Sequence, residues 1–181
     1  MSIAERPWLL RGLIVALVAG VAALVLVLTG DEEGDGAVAE AVAPRVVSVE
    51  ELREQAEGAE EFPIYWAGPM GGTRLELTQG SDGSALLRYL PGGAPVGGAG
   101  EQATSVGTYP LANAAAATAG LAAEEGAAVR SGAGDRTVVA TQSAPRSAYF
   151  AAPGNVQVEV YAPTAKRAMR LATSERVRPV G

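Results

Sequence analysis

The sequence contains no cysteine and no histidine. Without cysteine the chain cannot form disulfides, so its stability must come from packing, and it cannot carry the acylated cysteine of a lipoprotein. Without histidine, catalysis by serine–histidine or cysteine–histidine pairs is excluded, and so are histidine-ligated zinc sites. The sequence predicts no cofactor and no metal site.

Lysine is nearly absent as well. Thirteen of the 14 basic residues are arginine, and Lys166 is the single lysine. No serine stands three residues before Lys166, which excludes the Ser-x-x-Lys nucleophile motif. The preference for arginine, with abundant alanine, glycine and valine, is typical of a protein from a GC-rich bacterial genome.

One long uncharged run dominates the N-terminal part of the chain. It covers 17 residues, from Gly12 to Leu28. As a helix this run is about 25 Å long, and its apolar flanks extend it past the roughly 30 Å hydrocarbon core of a bilayer. We therefore expect a transmembrane signal-anchor helix at residues 12–30, with the lipid bilayer as its partner.

The charges beside this run predict its orientation. Arg6 and Arg11 precede it, whereas acidic residues follow it and the next basic residue is Arg45. Positive residues favour the cytoplasmic side, so residues 1–11 are expected to be a short cytoplasmic N-terminus. The rest of the chain is then outside the cytoplasm, on a single-pass protein of the cell membrane.

Secretion after signal cleavage is the alternative. The apolar region of a signal peptide usually spans about 7 to 15 residues and is followed closely by a small-x-small site. Residues 37–39 and 41–43 fit the small-residue pattern, but they lie far downstream of Leu28. The anchor is therefore the preferred interpretation.

Charge is distributed unevenly along the rest of the chain. Residues 31–61 hold eleven acidic and two basic residues, a net charge of −9. Residues 31–45 are predicted to be an acidic flexible linker, and their charge disfavours a nucleic-acid partner. They lack the spacing of a calcium-binding loop. The last nineteen residues hold a basic group instead: Lys166, Arg167, Arg170, Arg176 and Arg178.

Residues 46–181 are predicted to form one extracytoplasmic α+β domain with a mostly antiparallel sheet and about three helices. Ser48 and Glu51 form a capping box that predicts a helix over 49–57, stopped by Gly58. Further helices are expected over 111–129 and from Pro163 onward. Short or alternating apolar patterns predict strands at 62–66, 74–78, 85–90, 104–109, 136–141, 149–150 and 156–161.

A repeated pattern favours an internal duplication. Thr78-Gln79 is separated by four residues from Ser84-Ala85, and the same pattern recurs at residues 141–148. A Pro-Gly pair and a strand ending near a tyrosine follow each copy. The pattern predicts two βββα halves that share one sheet, with the helices against one face.

The glycine-rich segment 91–100 is not a phosphate-binding loop. A P-loop has lysine and serine or threonine after its last glycine, whereas Glu101 and Gln102 stand here. The segment is predicted to be a flexible loop between strands.

Carboxylates are the remaining catalytic candidates, and Glu76, Asp82 and Glu159 lie in or beside predicted strands. A pair about 5 to 9.5 Å apart would suit a hydrolase that works without histidine or cysteine. However, Glu76 and Glu159 occupy the polar positions of alternating strands, and this predicts outward, solvated side chains. No catalytic residue is assigned.

Binding candidates are aromatic or basic: Tyr65, Trp66, Lys166, Arg167 and Arg170. The rings could line a groove, or could simply pack in the sheet. The cations could contact an anionic polymer, or could simply be solvated. We therefore expect a binding or structural module of a bacterial cell envelope, with an envelope protein or an anionic polymer as its partner. The carboxylate-dependent hydrolase is the alternative function, and the sequence does not predict the oligomeric state.

Overall fold

A computed structural model describes residues 42–59, 62–98 and 102–181 of this chain. The predicted cytoplasmic N-terminus, the anchor at 12–30 and most of the predicted linker lie outside these residues. Within the described ranges, no helix combines the length and the hydropathy that a membrane span requires.

The described residues form an α+β domain, as predicted, with three α-helices and ten strands. The helices are α1 (Val49–Glu57), α2 (Ala114–Ala122) and α3 (Ala165–Thr173). The strands are β1 (Arg45–Val47), β2 (Tyr65–Trp66), β3 (Thr73–Gln79), β4 (Ala85–Pro91), β5 (Thr104–Pro110), β6 (Ala128–Ser131), β7 (Thr137–Ala140), β8 (Ser147–Ala152), β9 (Val156–Tyr161) and β10 (Arg178–Pro179).

Eight strands form one sheet in the order β1-β3-β4-β5-β9-β8-β7-β6, and every neighbouring pair is antiparallel. This confirms the mostly antiparallel sheet. The third strands of the two predicted halves, β5 and β9, lie side by side at its centre, and Gly107 is opposite Glu159. β2 and β10 pair separately as a two-stranded ribbon.

The first face of the sheet carries the main core. Alternation directs the leucines of β3, Leu87 of β4, Val106 of β5 and the valines of β9 to this face, where α1, α3 and the β2–β10 ribbon cover them. Two hydrogen bonds fasten the ribbon: the Tyr65 amide donates to Thr108 Oγ1 at 3.0 Å, and the Ala67 amide donates to Tyr89 Oη at 2.7 Å. Each fully buried large apolar side chain contributes about 1.5–3 kcal/mol to folding.

The second face is covered by α2, which packs against β7, β8 and β9. The same strands contact α3, but only α3 shares the main core, so the two helices cover opposite faces. The prediction of helices against one face is therefore wrong. The segment that contains α2 connects β5 to β6, so it must cross β9, β8 and β7. Because α3 covers these strands on the first face, α2 crosses them on the second.

Local signals located most of the elements. The capping box of α1 is present: the Ser48 amide donates to Glu51 Oε2 at 2.6 Å, and the Glu51 amide donates to Ser48 Oγ at 3.1 Å. These bonds hold the pKa of Glu51 below its ordinary value. The helix predicted over 111–129 is wrong in extent, because α2 stops at Ala122 and Gly126 adopts φ +74° before β6 begins. The strand predicted at 62–66 is also shorter in the structure, where it is β2.

Candidate functional site

An open groove of about 420 Å³ lies beside β8, between the turn at residues 133–135 and the chain that follows α3. Tyr65 and Phe150 contribute its aromatic lining. Arg136, Glu175 and Arg178 contribute its charges. The site is therefore a surface cleft with two cations and one acid, beside aromatic rings.

Arg136 holds one wall of the groove in place. Its guanidinium carbon lies 4.4 Å from the ring centroid of Phe150. Nη1 donates to the Val177 carbonyl at 2.8 Å, and Nη2 donates to the Ser174 carbonyl. Burial lowers the pKa of Arg136, while the nearby Tyr65 opposes that change. Arginine remains charged in proteins, so this side chain acts as a cationic clamp that ties the segment after α3 to the sheet.

The two aromatic candidates have different positions. Tyr65 lines the groove and meets Phe150 edge to face, with the ring centroids 6.1 Å apart. Burial raises the pKa of Tyr65. Trp66 is only 2% exposed and lies in the main core, where its Nε1 has no hydrogen-bond partner among the residues that the structure describes. The structure brings Tyr65 to the groove and places Trp66 in the interior.

The three cationic candidates, Lys166, Arg167 and Arg170, are exposed on α3. Arg167 Nη2 lies 3.9 Å from the Met70 sulfur, and Arg176 Nη2 donates to the Pro69 carbonyl at 3.2 Å. Because both side chains reach the same loop, Arg167 of α3 and Arg176 of the C-terminal segment lie on one side of the domain. We call Lys166, Arg167, Arg170, Arg176 and Arg178 the basic surface.

Among the described residues, no acidic side chain forms an ion pair within 4 Å with the basic surface. The one ion pair that these residues form joins Arg88 to Glu76. Glu175 is the one acid in residues 163–181. Since Arg178 belongs to both the basic surface and the groove lining, the groove and the basic surface meet at this residue.

Glu76 is fully buried, so its predicted outward position is wrong. Its Oε1 accepts from Arg88 Nη1 at 2.7 Å, and its Oε2 accepts from the Gly97 amide at 2.7 Å. Arg88 Nη2 also donates to the Gly98 carbonyl at 2.7 Å. The glycine-rich loop therefore does direct a backbone amide at an anion, and that anion is the chain's own carboxylate.

Glu159 is 7% exposed, and its predicted outward position is wrong as well. Oε1 accepts from Ser147 Oγ at 2.6 Å and from Tyr149 Oη at 3.2 Å, while Tyr109 Oη lies 3.5 Å from Oε2. Burial raises the pKa of Glu159, although the three hydroxyl contacts oppose the rise. Alternation correctly assigned both glutamates to the second face, but α2 and the glycine-rich loop cover that face.

The carboxylates do not form the pair that a hydrolase needs. Glu76 on β3 and Glu159 on β9 are separated by three strand spacings, about 14 Å, which exceeds the separation of about 5 to 9.5 Å in glycosidases. Asp82 instead supports the β3–β4 turn, where its Oδ1 accepts from the Ser84 amide at 3.0 Å. Hydrogen bonds from the side chain and the backbone of Ser84 lower the pKa of Asp82. Within the described ranges, no group of three or more acidic side chains is arranged to hold a metal ion.

The groove and the basic surface are thus the parts of the described domain whose geometry suits a ligand. Comparisons with family models, with curated proteins and with solved structures found no match. The function is therefore inferred from the site itself.

Proposed function

We propose that this protein is a binding module of a bacterial cell envelope, held in the membrane by residues 12–30 with residues 46–181 outside the cytoplasm. Its ligand is an anionic polymer that lies along the basic surface and enters the groove. The observation that carries this proposal is the set of five exposed cations, which form no ion pair within 4 Å in the described part of the chain and which meet the groove at Arg178.

The chemistry of the basic surface supports a polymer that carries phosphate or carboxylate groups. Lys166 and Arg170 are four residues apart on α3, and Arg167 and Arg170 are three apart, so they share one helix face. Arginine donates to phosphate and carboxylate in a planar, two-pronged geometry. A chain with regularly spaced anions can contact several of these cations together, whereas a single small anion can contact only one or two.

A hydrolase is less well supported, because the groove lining contains a single carboxylate, Glu175. The buried Glu159 has hydroxyl partners and no second carboxylate. We therefore favour binding over carboxylate-dependent hydrolysis.

We also propose that the domain is an internal duplication. β3-β4-β5-α2 and β7-β8-β9-α3 have the same order of elements, and the sheet order is symmetric about β5 and β9. The two helices cover opposite faces, so the halves differ in how each helix packs.

The binding proposal predicts a selective effect of charge removal. We expect the double variant R167Q/R170Q of the full-length chain, purified in non-ionic detergent, to bind a long polyphosphate probe about 10- to 30-fold more weakly than wild type, since each cation near an anionic surface contributes about 1 kcal/mol. Binding should also weaken as salt is added. Fluorescence anisotropy of labelled polyphosphate measures both effects.

The matched control is R53Q/R130Q, which removes the same charge from exposed positions on α1 and β6. It should bind within about twofold of wild type, because these positions lie outside the basic surface. Equal loss in both double variants would mean that only net charge matters, and the proposed surface would be wrong.

The location has its own test. A reporter that is active only outside the cytoplasm, fused after Gly181, should be active in a membrane fraction that contains the uncleaved chain. An exported chain of lower mass in the soluble fraction would replace the anchor with a cleaved signal. An inactive reporter on intact protein would overturn the orientation.

A further inference from the structure

Two glutamates are buried on the second face of the sheet, and their surroundings differ. Glu76 is neutralised by Arg88 at 2.7 Å. The hydrogen-bond partners of the Glu159 carboxyl among the described residues are all hydroxyl groups, those of Ser147, Tyr149 and Tyr109. A buried carboxylate without a counter-charge carries a large desolvation cost in its ionised form.

In the part of the chain that the structure describes, no packed element supplies Glu159 with a positive charge. On β5, Gly107 is directly opposite and Tyr109 is the titratable neighbour. On β8, Tyr149 and Ser147 face it, and burial raises the pKa of Tyr149, which keeps that phenol neutral. α2 contains no charged residue, and beyond its end Glu124 adds a negative charge near Tyr149.

Arg146, in the loop before β8, is the arginine closest to this cluster along the chain. Its guanidinium carbon lies 5.2 Å from the ring centroid of Tyr161. It makes no ion pair with Glu159.

Hydroxyl groups can both donate and accept, so the partners of Glu159 can bond either to a carboxylate or to a neutral carboxylic acid.

We propose that Glu159 is a proton-binding site at the centre of the sheet, and that its bound proton stabilises the packing of α2 against β7, β8 and β9. The site takes the proton from solvent as the surroundings acidify, and the neutral acid then remains hydrogen-bonded to Ser147 and Tyr149. This inference rests on the buried cluster alone and is independent of the proposed polymer ligand.

The direction of the effect follows from the burial. Because burial raises the pKa of Glu159, the folded chain binds this proton more tightly than the unfolded chain does. The stabilisation is therefore complete below the unfolded pKa of a glutamate and is lost as the pH rises through the higher folded pKa. Acidification from neutral pH toward that range strengthens the fold through this group.

α2 is the element most easily released when Glu159 ionises. Its N-cap residue, Asn113, has φ 64° and makes no side-chain capping bond. The Thr118 hydroxyl is buried and has no hydrogen-bond partner among the described residues. Both features leave α2 with fewer polar contacts than α1, whose capping box is complete. Water that solvates an ionised Glu159 would enter most readily by loosening α2.

The test compares E159Q with wild type as full-length chains in non-ionic detergent, with Tm measured between about pH 5 and pH 8. The amide keeps the shape of the neutral acid and has no proton to lose. We expect the Tm of E159Q to be at least about 3 °C above that of wild type at about pH 8. Between about pH 5 and pH 8, the Tm of E159Q should also fall less than that of wild type. E54Q, which removes an exposed carboxyl on α1, should keep the wild-type slope. A lower Tm for E159Q at alkaline pH, or an unchanged slope, would overturn the proposal.

A measurement on the wild-type chain covers the case in which E159Q does not fold. Hydrogen exchange, corrected for the intrinsic pH dependence of amide exchange, should show protection in α2 falling from about pH 5 to pH 8. The helix α1 serves as the internal reference. The same pH dependence of protection in both helices would contradict the link between the Glu159 proton and α2.

Discussion

Replacing Arg88 by methionine is expected to lower the free energy of unfolding by about 3–5 kcal/mol, the cost of leaving one partner of a buried ion pair uncompensated. Glu76 is fully buried, and without Arg88 its carboxylate keeps only the Gly97 amide as a donor. The Gly98 carbonyl also loses its partner. Urea unfolding of the full-length chain in detergent measures the change.

The double variant E76L/R88M separates the buried charge from the loss of contacts. It removes both charges and fills the space with apolar groups, so it should recover much of the stability lost in R88M. In R88M the glycine-rich loop loses its bond to Arg88 but keeps its bond to Glu76, whereas in E76L/R88M it loses both. Hydrogen exchange at residues 92–98 should therefore increase in both variants, and more in the double variant. If the double variant were as unstable as R88M, an uncompensated charge would not be the cause.

Replacing Arg136 by alanine has the second largest expected effect, a fall of about 2–4 kcal/mol in the free energy of unfolding. The substitution leaves the carbonyls of Ser174 and Val177 without their donor and removes the cation from the Phe150 ring. R136K should recover little of this, because an ammonium group cannot copy the planar geometry that reaches both carbonyls. Thermal unfolding measures the stability, and hydrogen exchange should rise first in residues 174–179.

R130A provides the matched control for Arg136. Arg130 is exposed on β6 and donates to the carbonyl of its neighbour Val129. Its loss should change stability by less than about 0.5 kcal/mol. A similar loss in R130A and R136A would show that the clamp across the groove wall does not hold the C-terminal segment.

The elements that were predicted well are those specified by neighbouring residues. The capping box around Ser48 defines α1, and the turn residues at 79–83 define the β3–β4 hairpin. The alternating valines of β9 face the main core, as period-two alternation predicts. In each case the decisive interactions join residues close in sequence, so one stretch of chain contains the whole signal.

The burial of Glu76 and Glu159 could not be predicted in the same way. Period-two alternation assigns residues to one face of a strand, but it does not tell whether that face is covered. Here the cover comes from α2 and from the loop that holds Gly97. Each cover depends on how the chain crosses the sheet, which no local pattern specifies.

The groove was missed for a similar reason. Arg136 bonds to carbonyl groups 38 and 41 residues away, and a backbone carbonyl has no sequence signature. Phe150 lies in a predicted strand, where packing in the sheet was preferred over a place in a groove. The basic residues of α3 were visible as a charge pattern, whereas their lack of acidic partners required the fold.

The sheet is open, so β1 and β6 are its two edge strands. The free amides and carbonyls of an edge can pair with a strand from another molecule, which is how many sheet proteins aggregate. β1 has three residues and β6 has four, and each contains an arginine, Arg45 or Arg130. Edges this short and charged offer an incoming strand few backbone bonds, so many copies of the domain can be crowded together without polymerising through their sheets.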